Sequence, residues 1–181
     1  MIRFSTLDVE MPTIEPLRVK AWIEEITHRH GKTIGELYYY FCSDEKLLDI
    51  NRERLGHDFY TDIVTFPLND CETVLSSEFC ISIDRIKENA MTFGRDYESE
   101  LHRVIIHGVL HLIGFDDLTD EEEREMREQE EEALILLIGG TTQESFTVMA
   151  NVDPPSPLCE DKASHSGDCG SSPQWKVKFC I

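Results

Sequence analysis

Long apolar segments and a disulfide framework are both missing from this sequence of 181 residues. No run of about 18 apolar residues occurs, so no segment is predicted to span a membrane. The six cysteines are scattered at positions 42, 71, 80, 159, 169 and 180, a spacing that does not indicate paired disulfides in the folded part. Residues 1–10 include acids and lack the apolar stretch of a secretory signal, so we expect a cytoplasmic protein.

Basic charge is also scarce. The chain has 17 Lys and Arg against 36 Asp and Glu, a formal net charge of −19. Residues 116–132 contain eleven of the acids and only two arginines, and we interpret this segment as a solvated helix face. Proteins that bind nucleic acids are expected to carry a basic patch for the phosphates. Net charge therefore gives a nucleic-acid function no support.

The segment 107–117, HGVLHLIGFDD, is the most informative part of the chain. His107 and His111 are four residues apart, so on a helix they share one face and can bind one metal ion. Gly114 is suited to ending that helix, and the turn can bring Asp116 or Asp117 back as an oxygen ligand. Two histidines and a carboxylate with an open fourth position are typical of catalytic zinc. The alternative is a structural histidine pair on an apolar helix.

The residue after the first histidine separates two kinds of hydrolase. Zinc peptidases place a glutamate there as general base, whereas this chain has Gly108. A substrate whose hydrolysis depends on the metal itself, such as a phosphodiester, fits this pattern better. The nucleophile is then expected to be a metal-activated water, with the general base unassigned.

The motif also carries a family resemblance. His-Gly-x-Leu-His-Leu-x-Gly-Phe-Asp, followed by Asp117 where most members have a third histidine, resembles the YbeY family of metal-dependent endoribonucleases. The resemblance implies one zinc ion per chain, held by His107, His111 and Asp117. It also implies single-stranded ribosomal RNA as substrate, in 16S 3′-end maturation and ribosome quality control, with the small ribosomal subunit as partner. No membrane partner and no nucleotide cofactor are expected.

A second family motif is similar to residues 51–66, where Asn51, Thr61 and Asp62 are among the matching positions. Two positions depart from it, because the family arginine falls on Leu55 and the family lysine on His57. We therefore take a different set of side chains as candidate contacts for the RNA backbone: Arg52, Arg54 and His57.

Periodicity and capping residues predict an α+β fold, with a mixed sheet of about four strands, about five helices, and the metal site on a buried central helix. Strands are predicted near 2–4, 34–42, 63–66 and 78–83, and helices near 15–30, 43–54, 85–94, 97–113 and 119–138. Leu17 and Ile138 are expected on buried faces, and Asp84 as a helix N-cap. Residues 1–139 are predicted to form one domain, and 140–181, rich in Pro, Ser and Gly, a disordered tail.

Two other functions remain open from the residues alone. A zinc peptidase-like hydrolase would share the histidine frame, and Gly108 argues against it. A non-enzymatic ribosome assembly factor with a structural metal would suit the acidic composition and Leu55. A fourth protein ligand that closes the metal site would favour the assembly factor, and an open position would favour an enzyme.

Overall fold

The computed structural model describes residues 1–139, so the predicted tail at 140–181 lies outside the described residues. Nine elements follow the predicted order. The strands are β1 (Ile2–Thr6), β2 (Thr33–Cys42), β3 (Ile63–Pro67) and β4 (Val74–Ser82). The helices are α1 (Pro16–Arg29), α2 (Asp44–Leu55), α3 (Ile83–Phe93), α4 (Tyr97–Ile113) and α5 (Asp120–Gly139). Within residues 1–139, no helix is long and apolar enough to cross a membrane.

The four strands form one mixed sheet in the order β1-β2-β4-β3. β1 and β4 each run parallel to β2, while β3 runs antiparallel to β4 at one edge. The predicted α+β class is thereby confirmed. Side chains alternate between the two faces of a strand, so Ile63 packs in the larger core, while Val64 and Phe66 pack in the smaller one.

The helices divide between these two faces. Side chains of α1, α4 and α5 pack in the larger core with Phe79 and Ile81 of β4. α2 contributes Leu47 to the smaller core on the other face. α4 is buried along most of its length, as expected for a helix that is apolar nearly all round.

Helix starts follow local capping chemistry. The Ser43 hydroxyl accepts from the Lys46 backbone N–H, as predicted. Thr119 and Glu122 form a reciprocal capping box at the start of α5. The predicted Asp84 cap is wrong. Ser82 caps α3 instead, since its hydroxyl accepts from the Arg85 backbone N–H, and β4 begins four residues earlier than expected.

Two predicted core positions are also wrong. Leu17 is 84 % exposed and Ile138 is 69 % exposed. Besides its apolar packing in the larger core, α5 is joined to α1 by two hydrogen bonds. The Trp22 indole N–H donates to the Ala133 carbonyl over 2.7 Å, and the Arg18 guanidinium donates to the Leu137 carbonyl. Both bonds join α1 to the C-terminal half of α5.

Candidate metal centre and its cavity

Three side chains converge at the end of α4. The Nε2 atoms of His107 and His111 each lie 3.7 Å from Oδ2 of Asp117, and the two imidazole rings are nearly perpendicular, with centroids 4.4 Å apart. Gly114 ends the helix with φ of 128°, a backbone conformation that favours glycine. The turn then returns the chain so that Asp117, rather than Asp116, joins the histidines.

Both imidazoles are oriented through their other nitrogen. The Nδ1 atom of His107 lies 2.6 Å from Oε1 of Glu130 on α5, and the Nδ1 atom of His111 lies 2.9 Å from the carbonyl oxygen of Phe115. In each case Nδ1–H is the donor when Nε2 binds a metal. Such partners fix the tautomer and ring orientation of metal-ligating histidines.

Glu130 is also bonded to Arg103. Its Oε2 atom accepts from Nη1 of Arg103 over 2.6 Å, and Glu130 is buried between α4 and α5. Burial by itself would raise the pKa of Glu130, but the hydrogen bonds and charges of His107 and Arg103 outweigh it and hold the pKa below its usual value. Glu130 is therefore anionic near neutral pH and can accept from His107.

The arrangement fits a divalent metal ion. Nε2 of His107 is buried and makes no hydrogen bond, a costly state that a metal would relieve. Ligand bonds of 2.0–2.2 Å in a tetrahedral site place neighbouring ligand atoms about 3.4 Å apart, close to the 3.7 Å from each histidine Nε2 to Oδ2 of Asp117. Among residues 1–139, the cluster that could hold a metal ion consists of two histidines and one aspartate, a set that would leave a coordination position for water or substrate.

A cavity of about 250 Å³ opens beside this cluster. His107 and Asp117 are part of its wall. The charged residues that complete its lining are Asp62, Arg95, Glu100, Arg103, Glu123, Arg127 and Glu130. Five carboxylates and three arginines give the wall a formal charge of −2, which one divalent cation would neutralise. The wall alone would repel an anionic substrate, and a bound divalent cation would remove that net repulsion.

Asp62 contributes a further titratable group to the cavity. Although the residue as a whole is only half-buried, its Oδ1 atom is shielded from solvent and makes no hydrogen bond. Burial raises the pKa of Asp62 to about 6, and the nearby His107 opposes that rise. A carboxylate with this pKa can exchange a proton near neutral pH, as a general base must.

Gly108 lies on a different side of α4. A Cβ atom added there would come within 2.8 Å of both Ile63 and the Phe79 ring, two buried side chains of the sheet. A glutamate at this position would point into the core and not into the cavity. The structure therefore gives a peptidase base no room at the position where the peptidase motif requires one.

The candidate RNA contacts predicted from the sequence lie elsewhere. Arg54 extends over the Phe66 ring at 4.8 Å and pairs with Glu78, and Phe66 belongs to the smaller core across the sheet from α4. Arg52 pairs with Asp58 over 2.6 Å. His57 lies in the loop that leads to Asp62. None of the three lines the cavity beside His107.

Sequence reasoning missed Glu130 and Arg103, although a signal was present. Glu130 falls between Met126 and Ala133 at helical spacing, on the stripe that α5 buries. An acid on an apolar stripe indicates a buried partner. The interpretation of residues 116–132 as a solvated face therefore fails at Glu130, which is buried and contacts His107.

Comparison with known proteins adds independent information. A sequence profile described as Endoribonuclease YbeY matches residues 6–137. Endoribonuclease YbeY of Phocaeicola vulgatus is 46 % identical over 117 residues, which cover 65 % of this chain and 84 % of that protein. The Bacteroides thetaiotaomicron protein of the same description is 47 % identical over 116 residues, covering 64 % and 84 %. A solution structure from Thermotoga maritima superposes with a TM-score of 0.54 at 29 % identity, covering 78 % of this chain and 91 % of the other.

Proposed function

The chain belongs to the endoribonuclease YbeY family and is a nuclease that acts on RNA, and from that premise we propose that it cleaves single-stranded RNA at the His107–His111–Asp117 centre. The observation that carries the proposal is the convergence of two Nε2 atoms and one carboxylate oxygen in the wall of a polar cavity. The proposed substrate is the 3′ end of 16S ribosomal RNA, in maturation and quality control of the small ribosomal subunit. From that proposed role we also infer a cytoplasmic location.

The proposed resident metal is one zinc ion per chain, held by His107, His111 and Asp117. Imidazole nitrogens with one carboxylate suit zinc, although the oxygen ligand also admits harder ions. When bound, the ion supplies Lewis acidity, which polarises a phosphoryl oxygen and lowers the pKa of water.

The chain's own residues supply the remaining roles. Glu130 keeps the Nδ1 proton on His107 and so presents Nε2 to the cluster. Asp62, through its buried Oδ1 atom, accepts the proton of the attacking group. Arg127, in the cavity wall on α5, attracts the phosphate backbone. Arg52, Arg54 and His57 remain proposed contacts for RNA farther from the scissile bond.

The attacking group is either water or the RNA 2′-hydroxyl, and Asp62 can accept a proton from both. The products distinguish the two routes. Attack by the 2′-hydroxyl leaves a 2′,3′-cyclic phosphate, whereas attack by water does not. Mass spectrometry of the cleaved ends therefore identifies the nucleophile.

The alternatives fit the structure less well. A peptidase lacks its base, since position 108 faces the sheet core. A purely structural metal would favour a closed set of four protein ligands, whereas residues 1–139 contribute three to the cluster. The polar cavity against His107 and Asp117 favours an enzyme over an assembly factor.

The test is cleavage of a single-stranded ribosomal RNA fragment by the full-length protein with added zinc. Asp117→Asn and Asp116→Asn form a matched pair on adjacent carboxylates. We expect the Asp117 variant to lose most cleavage and zinc affinity, and the Asp116 variant to keep both. His111→Ala, purified identically, controls for contaminating ribonucleases. Equal cleavage by wild type and His111→Ala would overturn the proposal.

A further inference from the structure

Phe93 is a large apolar side chain that remains 61 % exposed at the edge of the cavity. It is the last residue of α3, and it lines the same cavity as His107 and Asp117. The nearby Met91 on the same helix is 78 % exposed and does not line this cavity. An exposed aromatic ring beside a polar site offers a flat face for a planar ligand.

A guanidinium lies against that ring. The Cζ atom of Arg95 is 5.1 Å from the centroid of Phe93, within the range of a cation–π contact. Gly94 allows Arg95 to contact the Phe93 ring, because its φ of 64° turns the chain back at the end of α3. The Arg95 backbone N–H then donates to the Ala90 carbonyl over 2.9 Å and locks the turn.

A buried carboxylate also forms an ion pair with Arg95. Its Nη1 atom lies 2.9 Å from Oε2 of Glu100, which is buried in α4. The same carboxylate oxygen lies 3.9 Å from Nε of Arg103, and Arg103 in turn bonds Glu130, the partner of His107. A chain of alternating charges therefore links the Phe93–Arg95 pair to a metal ligand. The ring and the guanidinium are thus preorganised relative to the reaction centre.

We propose that Phe93 and Arg95 form a nucleotide platform, on which Phe93 stacks one unpaired base of the substrate and Arg95 contacts an adjoining phosphate. The proposal rests on RNA cleavage at the neighbouring metal centre. Base stacking on aromatic side chains is tolerant of sequence, because every base has a π-face. A base inside a duplex has both faces covered by its neighbours, so this platform selects single-stranded RNA.

The test measures equilibrium binding of a short fluorescent single-stranded 2′-O-methyl RNA to the zinc-loaded full-length protein at fixed salt. Phe93→Ala is expected to weaken binding roughly 5- to 150-fold, the range for loss of one stacked base. Phe93→Leu, which is apolar but has no π-face, should weaken binding similarly, and Phe93→Trp should retain it. Met91→Ala is the matched control and should bind as wild type does.

Arg95→Lys tests the second half of the platform. It keeps the positive charge opposite Glu100 but loses the planar guanidinium, so we expect an intermediate loss of affinity. Thermal melting of each variant verifies the fold, and exposure of Phe93 predicts an unchanged midpoint. A blunt duplex of the same sequence should bind weakly to wild type and be insensitive to Phe93→Ala.

The outcomes separate this proposal from the proposed function. If Phe93→Ala binds within twofold of wild type, or if Met91→Ala weakens binding equally, the platform is wrong while RNA cleavage by wild type still stands. If wild type neither binds nor cleaves single-stranded RNA, both fail together. Weaker binding in Phe93→Ala and Phe93→Leu, rescued by Phe93→Trp, supports the platform.

Discussion

The Nδ1 atom of His107 on α4 lies 2.6 Å from Oε1 of Glu130 on α5. This bond joins two helices across 23 residues of sequence, and it turns the Nε2 atom of His107 toward Asp117 and His111. The other Glu130 oxygen is taken by Arg103. The geometry of the candidate metal centre therefore depends on the packing of α5 against α4, and not only on the histidine motif.

Glu130→Gln is predicted to weaken zinc binding by about 10- to 100-fold, the usual cost of losing an outer-shell partner. Glutamine has only one accepting oxygen and no negative charge, so it cannot replace both carboxylate oxygens that accept from His107 and Arg103. His107 is then less firmly oriented. The measurement is competition with a chelator of known affinity, followed by the change in chelator absorbance.

Glu131→Gln is the control, because Glu131 is the exposed neighbour on the same helix. It removes the same formal charge from α5. Equal zinc affinity in the two variants would show that net charge, and not the bond to His107, sets the metal affinity.

Gly108→Ala is predicted to destabilise the protein by about 1–3 kcal/mol, as expected for overpacking. The added methyl group would clash with the buried Phe79 ring, and this cost exceeds the gain of about 1 kcal/mol in helix propensity. Urea unfolding of the metal-free protein gives the value. A stabilised variant would mean that α4 does not approach the sheet as closely as described.

Asp62→Asn is predicted to reduce kcat for RNA cleavage by about 10²- to 10⁴-fold, the range for loss of a general base. Asparagine has nearly the same shape but cannot accept a proton. Zinc affinity should change little, because Asp62 is outside the His107–His111–Asp117 cluster. A variant that loses activity only in proportion to lost zinc would contradict a role for Asp62 in proton transfer.

Asp62 also predicts a pH dependence of stability. Its pKa is raised by burial from 3.8 to about 6 in the folded state, so between these values the folded protein binds more protons than the unfolded chain. This group's contribution therefore favours folding at low pH and is lost as pH rises through about 6, with a total change of about 2 kcal/mol after allowance for partial exposure.

The comparison of wild type with Asp62→Asn isolates this contribution. Denaturant unfolding is measured in EDTA from pH 4 to pH 7, since a bound cation would favour the ionised carboxylate. The variant should gain stability relative to wild type as pH rises. A constant difference across this range would show that the pKa of Asp62 is not raised by folding.

Several features were predictable because their causes are local. The caps at Ser43 and Thr119 depend on residues three positions apart, and the order of all nine elements follows from periodicity and turn residues. The start of α3 was misplaced because Asp84 and Ser82 are both good cap residues. Ser82 is further fixed by a bond from its hydroxyl to Asp44, 38 residues away.

The exposure of apolar side chains in the first turn of α1 and the last turn of α5 was less predictable from the sequence. Leu17 and Ile138 fit the helical stripe but lie at helix ends, and within residues 1–139 both side chains stay largely exposed. Whether an apolar side chain at a helix end is buried depends on where the adjacent helices end. That is a property of the packed fold and not of the local pattern.

The sequence by itself determined the elements, the mixed sheet and the histidine pair one helical turn apart, because backbone geometry and side-chain periodicity act over a few residues. The family resemblance already indicated Asp117 as the third ligand, whereas tertiary structure alone decided that Glu130 and Arg103 lie behind the histidines. It also decided that Phe93 and Arg95, rather than Arg52 and Arg54, border the cavity. These relationships join residues distant in sequence, and only the packing of α3 and α5 around α4 brings them within bonding distance.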